Sequence, residues 1–239
     1  MNILITGGAS GLGFEITKVT ASQGGNTVYF TYCRSEKEAN VIVKSLPHAK
    51  AIKCDFRKAA DIDRLLEDMP GMDLDVLINN AALEIVEAHF HKMDPNVFLD
   101  HFTNLMVPTV QITQKAIQIF RKKKFGKIIN ILSTAIVNKP PVGMSEYAAL
   151  KSYLFSLSKS WAAENANFNI TSNCVSPDFM QTKLTEYKDP RLVELYAQSH
   201  PLKKILTPQE VADSVFFLVN CSQQINGINL IINSAQGIL

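Results

Sequence analysis

Short, nearly continuous apolar runs alternate along the chain with longer segments in which apolar residues return every three or four positions. The short runs are NILIT (2–6), TVYFTY (27–32), AKAIKC (49–54), LDVLIN (74–79), GKIINIL (126–132), NITSNCVS (169–176) and INLIIN (228–233). Apolar at successive rather than alternate positions, they read as parallel strands covered on both faces. The longer segments predict helices over 11–23, 35–45, 58–69, 95–122, 146–165 and 208–219. This alternation predicts an α/β fold, a doubly wound parallel sheet with helices on both sides. No internal repeat, low-complexity tract or Pro/Gly linker interrupts it, so residues 1–239 are expected to form a single domain. The stretch 177–208 departs from the pattern. It carries Pro177, Pro190, Pro201 and Pro208 and has the weakest strand character. A segment of that kind late in an α/β sheet is expected to be a substrate loop, here a lid over 178–206.

Composition narrows the function classes. The chain is 46% hydrophobic and 19% charged, as a folded domain with a substantial core requires. A net charge of +2 gives no reason to expect nucleic-acid binding. The one basic run, RKKK at 121–124, reads as a solvated helix end whose cations face the C-terminal dipole. Cys33, Cys54, Cys174 and Cys221 are scattered without a CxxC, which predicts reduced thiols. His89 and His91 have no cysteine or carboxylate cluster to complete a ligand set, and no metal is expected. No apolar stretch approaches the ~20 residues of a membrane span, and the opening run is too short for a signal peptide. A cytoplasmic location is the expectation, with no membrane partner.

Candidate chemistry begins directly after the first strand. TGGASGLG places Gly7, Gly11 and Gly13 in a turn that opens a helix, where bare backbone N–H groups and a positive dipole end suit a pyrophosphate. The spacing is Gx3GxG, not the commoner GxGxxG. In a dinucleotide fold the group that reads the ribose 2′ position follows about 20 residues later. The sequence there is TYCRSEKEA, with no acid closing the second strand. Arg34 and Ser35 are placed to bind a 2′-phosphate, which predicts NADP(H) over NAD(H). Further on, SEYAALKSY sets Tyr147 and Lys151 one helical turn apart on one face. On those nine residues alone, ordinary amphipathic packing is the better explanation.

Taken in order, these motifs resemble the short-chain dehydrogenase/reductase family over nearly the whole chain. TGGASGLG matches that family's TGx3GxG loop, and Asp55 in CDF matches its adenine-contacting acid. NNAA at 79–82 matches NNAG, with Ala82 in place of glycine. Asn104 in TNLMVP, Ser133 in INILS, Tyr147 and Lys151 match its Asn-Ser-Tyr-Lys set. SPDFMQT resembles the PGxxxT segment, with Thr182 placed to meet the nicotinamide amide. The resemblance implies a Rossmann-like, seven-stranded parallel sheet and a homotetramer or homodimer. It implies cofactor contacts from Thr6, Gly7, Ser10, Gly11, Leu12, Gly13, Arg34, Ser35, Asp55, Phe56, Asn79, Ala81, Tyr147, Lys151, Pro177 and Thr182. It also implies catalytic roles for Asn104, Ser133, Tyr147 and Lys151.

Three features depart from the family pattern. Asp178 replaces a glycine, INSAQG stands where DGG is frequent, and Ser133 is followed by Thr134, so either hydroxyl could meet the substrate. Strand register favours Ser133, whereas the usual interval to the tyrosine favours Thr134.

The implied chemistry gives the Tyr147–Lys151 pair a purpose. A phenol with pKa near 10 is a poor acid–base group at neutral pH. Lys151, with the positive charge of an oxidised nicotinamide, is expected to draw that pKa towards working pH. Ser133 would hold the substrate oxygen, and Asn104 would position Lys151 through water. The expected function is NADP(H)-dependent oxidoreduction of a small-molecule carbonyl or secondary alcohol. The alternatives are a nucleotide-sugar-modifying relative and a non-catalytic NADP-binding sensor. Glu84, Ile136, Val142, Asp178, Met180 and 183–205 are expected to line the substrate pocket but carry no distinctive ligand code. Acyl thioester, sugar, steroid-like and small-ketone substrates all stay open, and a 3-oxoacyl thioester is favoured only because that activity is common among relatives of this length.

Overall fold

The computed structural model describes residues 1–137, 139–182, 185 and 189–236. Seven strands form one parallel sheet: β1 (Asn2–Ile5), β2 (Thr27–Tyr32), β3 (Ala49–Lys53), β4 (Val76–Asn79), β5 (Gly126–Ile131), β6 (Ile170–Pro177) and β7 (Asn229–Ile232). Their order is β3-β2-β1-β4-β5-β6-β7. The chain winds outward from β1 to β3, then crosses back to place β4 against β1, with Ile5 level with Ile78. That crossing is the switch point at whose carboxyl edge ligands bind in open α/β sheets.

The period of two along each strand explains the continuous apolar runs. In β1, Ile3 and Ile5 face one layer while Leu4 faces the other, and all three are fully buried. The first layer holds α1 (Gly11–Ala21), α2 (Glu36–Ser45) and α8 (Pro208–Asn220), which contribute Ile16, Ile42 and Val215. The second holds α3 (Ala59–Asp68) and α5 (Val107–Lys123), which pack Leu65, Ile112 and Phe120 on Leu4, Leu77 and Ile128. Beside it, α6 (Ser145–Asn165) sets Leu150 and Leu154 against Leu105, Leu132 and Cys174. Two covered faces leave no polar side to these strands. The basic run falls where expected, with Lys123 closing α5 and pairing with Asp73 at 3.0 Å and Asp75 at 2.7 Å. Cys54 and Cys174 are buried, and all four cysteines are free. Among the described residues no helix is long and apolar enough to cross a membrane.

Two expectations need correction. The helix foreseen over 95–122 is three pieces: α4 (Asn96–His101), a π-helical turn (Phe102–Met106) and α5. Periodicity misses this because one wide turn leaves the apolar spacing on either side intact. The stretch 177–208 also contains a helix that was not foreseen, α7 (Pro190–Ser199). Its prolines read as breakers, yet Pro190 sits in the first turn, where its fixed φ and missing N–H cost nothing, and the Asp189 carboxylate accepts from Arg191 N. Of the expected lid, residues 183, 184 and 186–188 lie outside the described residues.

Candidate active site

Three carboxyl-edge loops meet above the switch point. The first links β1 to α1. Gly7 at φ +67° and Gly11 at φ +53° adopt the left-handed backbone that favours glycine. A Cβ on Gly13 would lie 2.1 Å from Gly7 O, so the turn closes on itself only with glycine there. Ser10 starts α1 without a side-chain cap, and the N–H groups of the first turn have no carbonyl one turn back to meet. A helix start with bare N–H groups fits a pyrophosphate.

The loop after β4 holds that turn in place. Thr6 Oγ1 accepts from Asn80 N and Ala81 N, each at 3.0 Å, and Asn80 Nδ2 donates to Thr6 O and Gly7 O at 3.0 Å. Ala81 Cα lies 3.1 Å from where a Gly7 Cβ would be. Asn79 is turned the other way. It is buried and donates to Thr113 Oγ1 at 3.0 Å and Asn130 Oδ1 at 2.8 Å, binding the sheet to α5. Its side chain thus serves the sheet, leaving its backbone at the cleft. Asn80 is the residue sequence reasoning passed over, although it stood inside the quoted NNAA.

At the far end, Arg34 and Ser35 lie after β2. Arg34 Nη1 reaches Glu84 Oε1 at 3.1 Å, with both side chains largely in solvent. Ser35 begins α2 without a side-chain cap. Asp55 is clasped by a neighbour the sequence reading did not weigh: Arg57 Nε donates to its Oδ1 at 2.9 Å and Nη2 to its Oδ2 at 2.8 Å. That guanidinium holds the Asp55 carboxyl well below the usual carboxylate range. Phe56 is partly buried, packing towards the α3–α5 layer.

The third group gathers at the ends of β5 and β6. Lys151 is buried, donates from Nζ to Ile131 O at 2.8 Å and lies 5.7 Å from the centre of the Tyr147 ring. Burial lowers its ammonium to about 8. Burial raises the Tyr147 phenol; nearby, the Ser133 hydroxyl favours phenolate and the Glu146 carboxylate opposes it. In the protein alone the phenol is therefore raised, opposite to the lowering expected from Lys151. Ser133 Oγ also accepts from Ala135 N at 3.2 Å. Thr134 is engaged elsewhere: its hydroxyl donates to Asp178 Oδ1 at 3.0 Å, and Tyr196 OH from α7 donates to the same oxygen at 2.5 Å. Of the two hydroxyls, Ser133, which strand register favours, is the one beside the phenol. Asn104 sits in the π turn before α5, a kind of helix irregularity frequent at functional sites. Pro177 ends β6, and Thr182 Cβ lies 3.5 Å from the position of a Gly11 Cβ, so the β6 loop meets the glycine turn. Glu84 lines the cleft beside Tyr147 and Lys151, whereas Val142 stands out in solvent.

Residues 1–192 match the family described as short chain dehydrogenase. The chain is 27% identical over 227 residues to the 3-oxoacyl-acyl-carrier-protein reductase FabG of Aquifex aeolicus, covering 92% of this chain and 89% of that one. It is 29% identical over 224 residues to nodulation protein G of Rhizobium meliloti, covering 91% and 88%. Among solved structures, a short chain dehydrogenase/reductase family protein superposes with a TM-score of 0.87 at 27% identity, over 98% of this chain and 96% of the other. An actinorhodin polyketide ketoreductase variant with NADPH shares the fold, with a TM-score of 0.89 at 23% identity over 100% and 97%.

Proposed function

Because the chain belongs to the short chain dehydrogenase family of oxidoreductases, we propose that it reduces a carbonyl with NADPH, with 3-oxoacyl thioesters as the substrate class. The observation that carries this reading is Tyr147 beside Ser133 and Lys151, at the carboxyl edge that also bears the glycine turn. When bound, the nicotinamide supplies the hydride. The residues of the chain bind, orient and move one proton. Ser133 holds the substrate oxygen near Tyr147, and Tyr147 releases its proton to that oxygen as charge develops there. A phenol raised by burial keeps its proton until that moment. Lys151, held by Ile131 O, stands over the ring ready to favour the phenolate that remains. Asn104 positions Lys151 through water.

Selectivity for NADP(H) rests on Arg34 and Ser35 after an acid-free strand end. The exposed Arg34–Glu84 pair is worth at most ~1 kcal/mol. A 2′-phosphate with its charge-assisted hydrogen bonds outcompetes it. Relatives that bear that name support the 3-oxoacyl class. Assembly as a homodimer or homotetramer belongs to the same reading, supported by exposed Leu99, Phe102, Val107 and Tyr153 on α4, the π turn, α5 and α6.

The test is turnover of NADPH and NADH with acetoacetyl-CoA, small ketones, steroid ketones and nucleotide sugars. NADPH oxidation with acetoacetyl-CoA is the expected result. NADPH binding without turnover of any carbonyl would reject the enzymatic reading.

A further inference from the structure

Glu146 immediately precedes Tyr147, yet its carboxylate points inward and the residue is only 1% exposed. Burying a carboxylate costs several kcal/mol unless other groups compensate the charge. Its partner is an imidazole. Glu146 Oε1 stands 3.1 Å from His101 Nδ1. The contact lies off the line of a hydrogen bond, and this oxygen accepts none from the described residues. Both side chains line a cavity of about 20 Å³ bounded also by Tyr147, Lys151, Leu83 and Ile85. One water needs at least ~10–15 Å³ and two to four polar neighbours. His101, Glu146, Tyr147 and Lys151 provide the neighbours.

The π turn brings the histidine to this cavity. His101 ends α4, and Leu105 and Met106, four and five positions on, line the same space. The His101 side chain keeps 16% of its surface, whereas that of Glu146 keeps 2%. The pair thus runs from partial solvent contact to the cavity that Tyr147 and Lys151 also line. Glu84 also lines the cavity, but its carboxylate is exposed and paired with Arg34, away from this route.

We propose that His101 and Glu146 form a proton-delivery branch, joined through one water to the Tyr147–Lys151 pair and opening to solvent at His101. It rests on the reductase reading above. In each reduction the hydride carries two electrons to the carbonyl carbon, and the Tyr147 phenol gives its proton to the oxygen. The phenolate left behind must regain one proton per cycle. Once the His101 ring turns into line with Glu146, its imidazolium passes a proton to the Glu146 carboxylate, and Glu146 passes one to the water. The water protonates Lys151 as Lys151 gives its own proton to the phenolate. Solvent then reprotonates His101, and no electrons move along the branch. Both residues act through Tyr147 and need not touch the substrate.

The experiment compares wild type, His101→Ala and Glu146→Gln with NADPH and the most active carbonyl of the panel. Rates are measured across an imidazole series at pH 7 and fixed ionic strength, in H2O and in D2O. His101→Ala should lose at least about tenfold in kcat, with KM little changed, and recover as imidazole rises. Glu146→Gln should lose a similar amount without rescue, and both variants should show a larger solvent isotope effect than wild type. Melting curves establish folding, and His101→Gln, polar but unable to relay, replaces the alanine variant if that fails to fold. In that case its slow, isotope-sensitive turnover carries the test. Wild-type kcat in the histidine variant overturns the branch. So does a fall in kcat that neither imidazole nor D2O distinguishes from wild-type behaviour, since that marks a structural role. Absence of turnover in the wild type overturns the reductase reading and the branch with it, whereas turnover with unmoved variants overturns the branch alone.

Discussion

Tyr147→Phe removes one oxygen and keeps the ring, which separates chemistry from packing. Turnover should fall by ~10²–10⁴-fold, the loss typical of a general acid, while NADPH affinity measured by titration changes little. Retention of near wild-type turnover would return Tyr147 to a packing role. Lys151 makes a prediction about pH. Its folded value of about 8 lies below the ordinary lysine value of 10.5, because burial disfavours the ammonium. Between those values the unfolded chain binds more protons than the folded one, so this lysine's contribution to stability rises with pH there and is constant below about 8. The stability advantage of a Lys151→Met variant over wild type should therefore shrink by about 2 kcal/mol from pH 8 to pH 10.5, read from denaturant midpoints. A gap that stays constant or widens would show that the buried ammonium is not the cause. Arg34→Ala should weaken NADPH binding by ~1.5–3 kcal/mol, the scale of a hydrogen bond to a charged group, and leave NADH binding almost unchanged. Equal wild-type affinity for both cofactors would remove the assignment of Arg34.

At the scale of elements, α7 is held unlike the other helices. It buries no residue completely. Tyr196 ties it to the β6 loop, donating to Asp178 and packing at a tilt on Phe179 with ring centres 5.0 Å apart. Burial and the Asp178 carboxylate both raise the Tyr196 phenol, so it stays a neutral donor to Asp178 through the physiological range. Asp178, the departure from the family's glycine, thus ties α7 to the loop bearing Thr134. Few buried contacts make for low local stability. Amide exchange over 190–199 should be faster than in β1, β4 and β5, and should slow when cofactor binds below it. Protection equal to that of the central strands in the apo protein would rule out a lid.

The whole molecule exposes an apolar strip that its own fold does not cover. Leu99 is 64% exposed, and Phe102 packs edge-on against Tyr153 at 5.1 Å, with both still partly in solvent. Apolar area removed from water contributes ~25 cal/mol per Å², so two copies joined on α5 and α6 would gain from covering it. Sedimentation should give a dimer or tetramer, and Phe102→Asp with Tyr153→Asp should shift it towards monomer. A wild-type monomer at micromolar concentration would contradict this.

The strands and most helices were legible in the sequence because a buried parallel strand and an amphipathic helix each impose a period on neighbouring positions. Ile3, Leu4 and Ile5 each face a packed layer, and their pattern says so without coordinates. The glycine turn was legible for a similar reason: Gly7, Gly11 and Gly13 answer to backbone geometry a few residues away. α7 was hidden because proline marks helix starts as well as breaks. The π turn was hidden because one extra residue leaves the spacing on each side intact. Strand register already favoured Ser133 for the place beside Tyr147, but tertiary structure alone gave Thr134 to Asp178. It also turned Asn79 into the sheet, clasped Asp55 with Arg57, and brought His101 from α4 to Glu146 of α6. Local periods and turns are properties of adjacent residues; the direction of a side chain, its partner and its pKa depend on groups that only packing brings within a few ångströms.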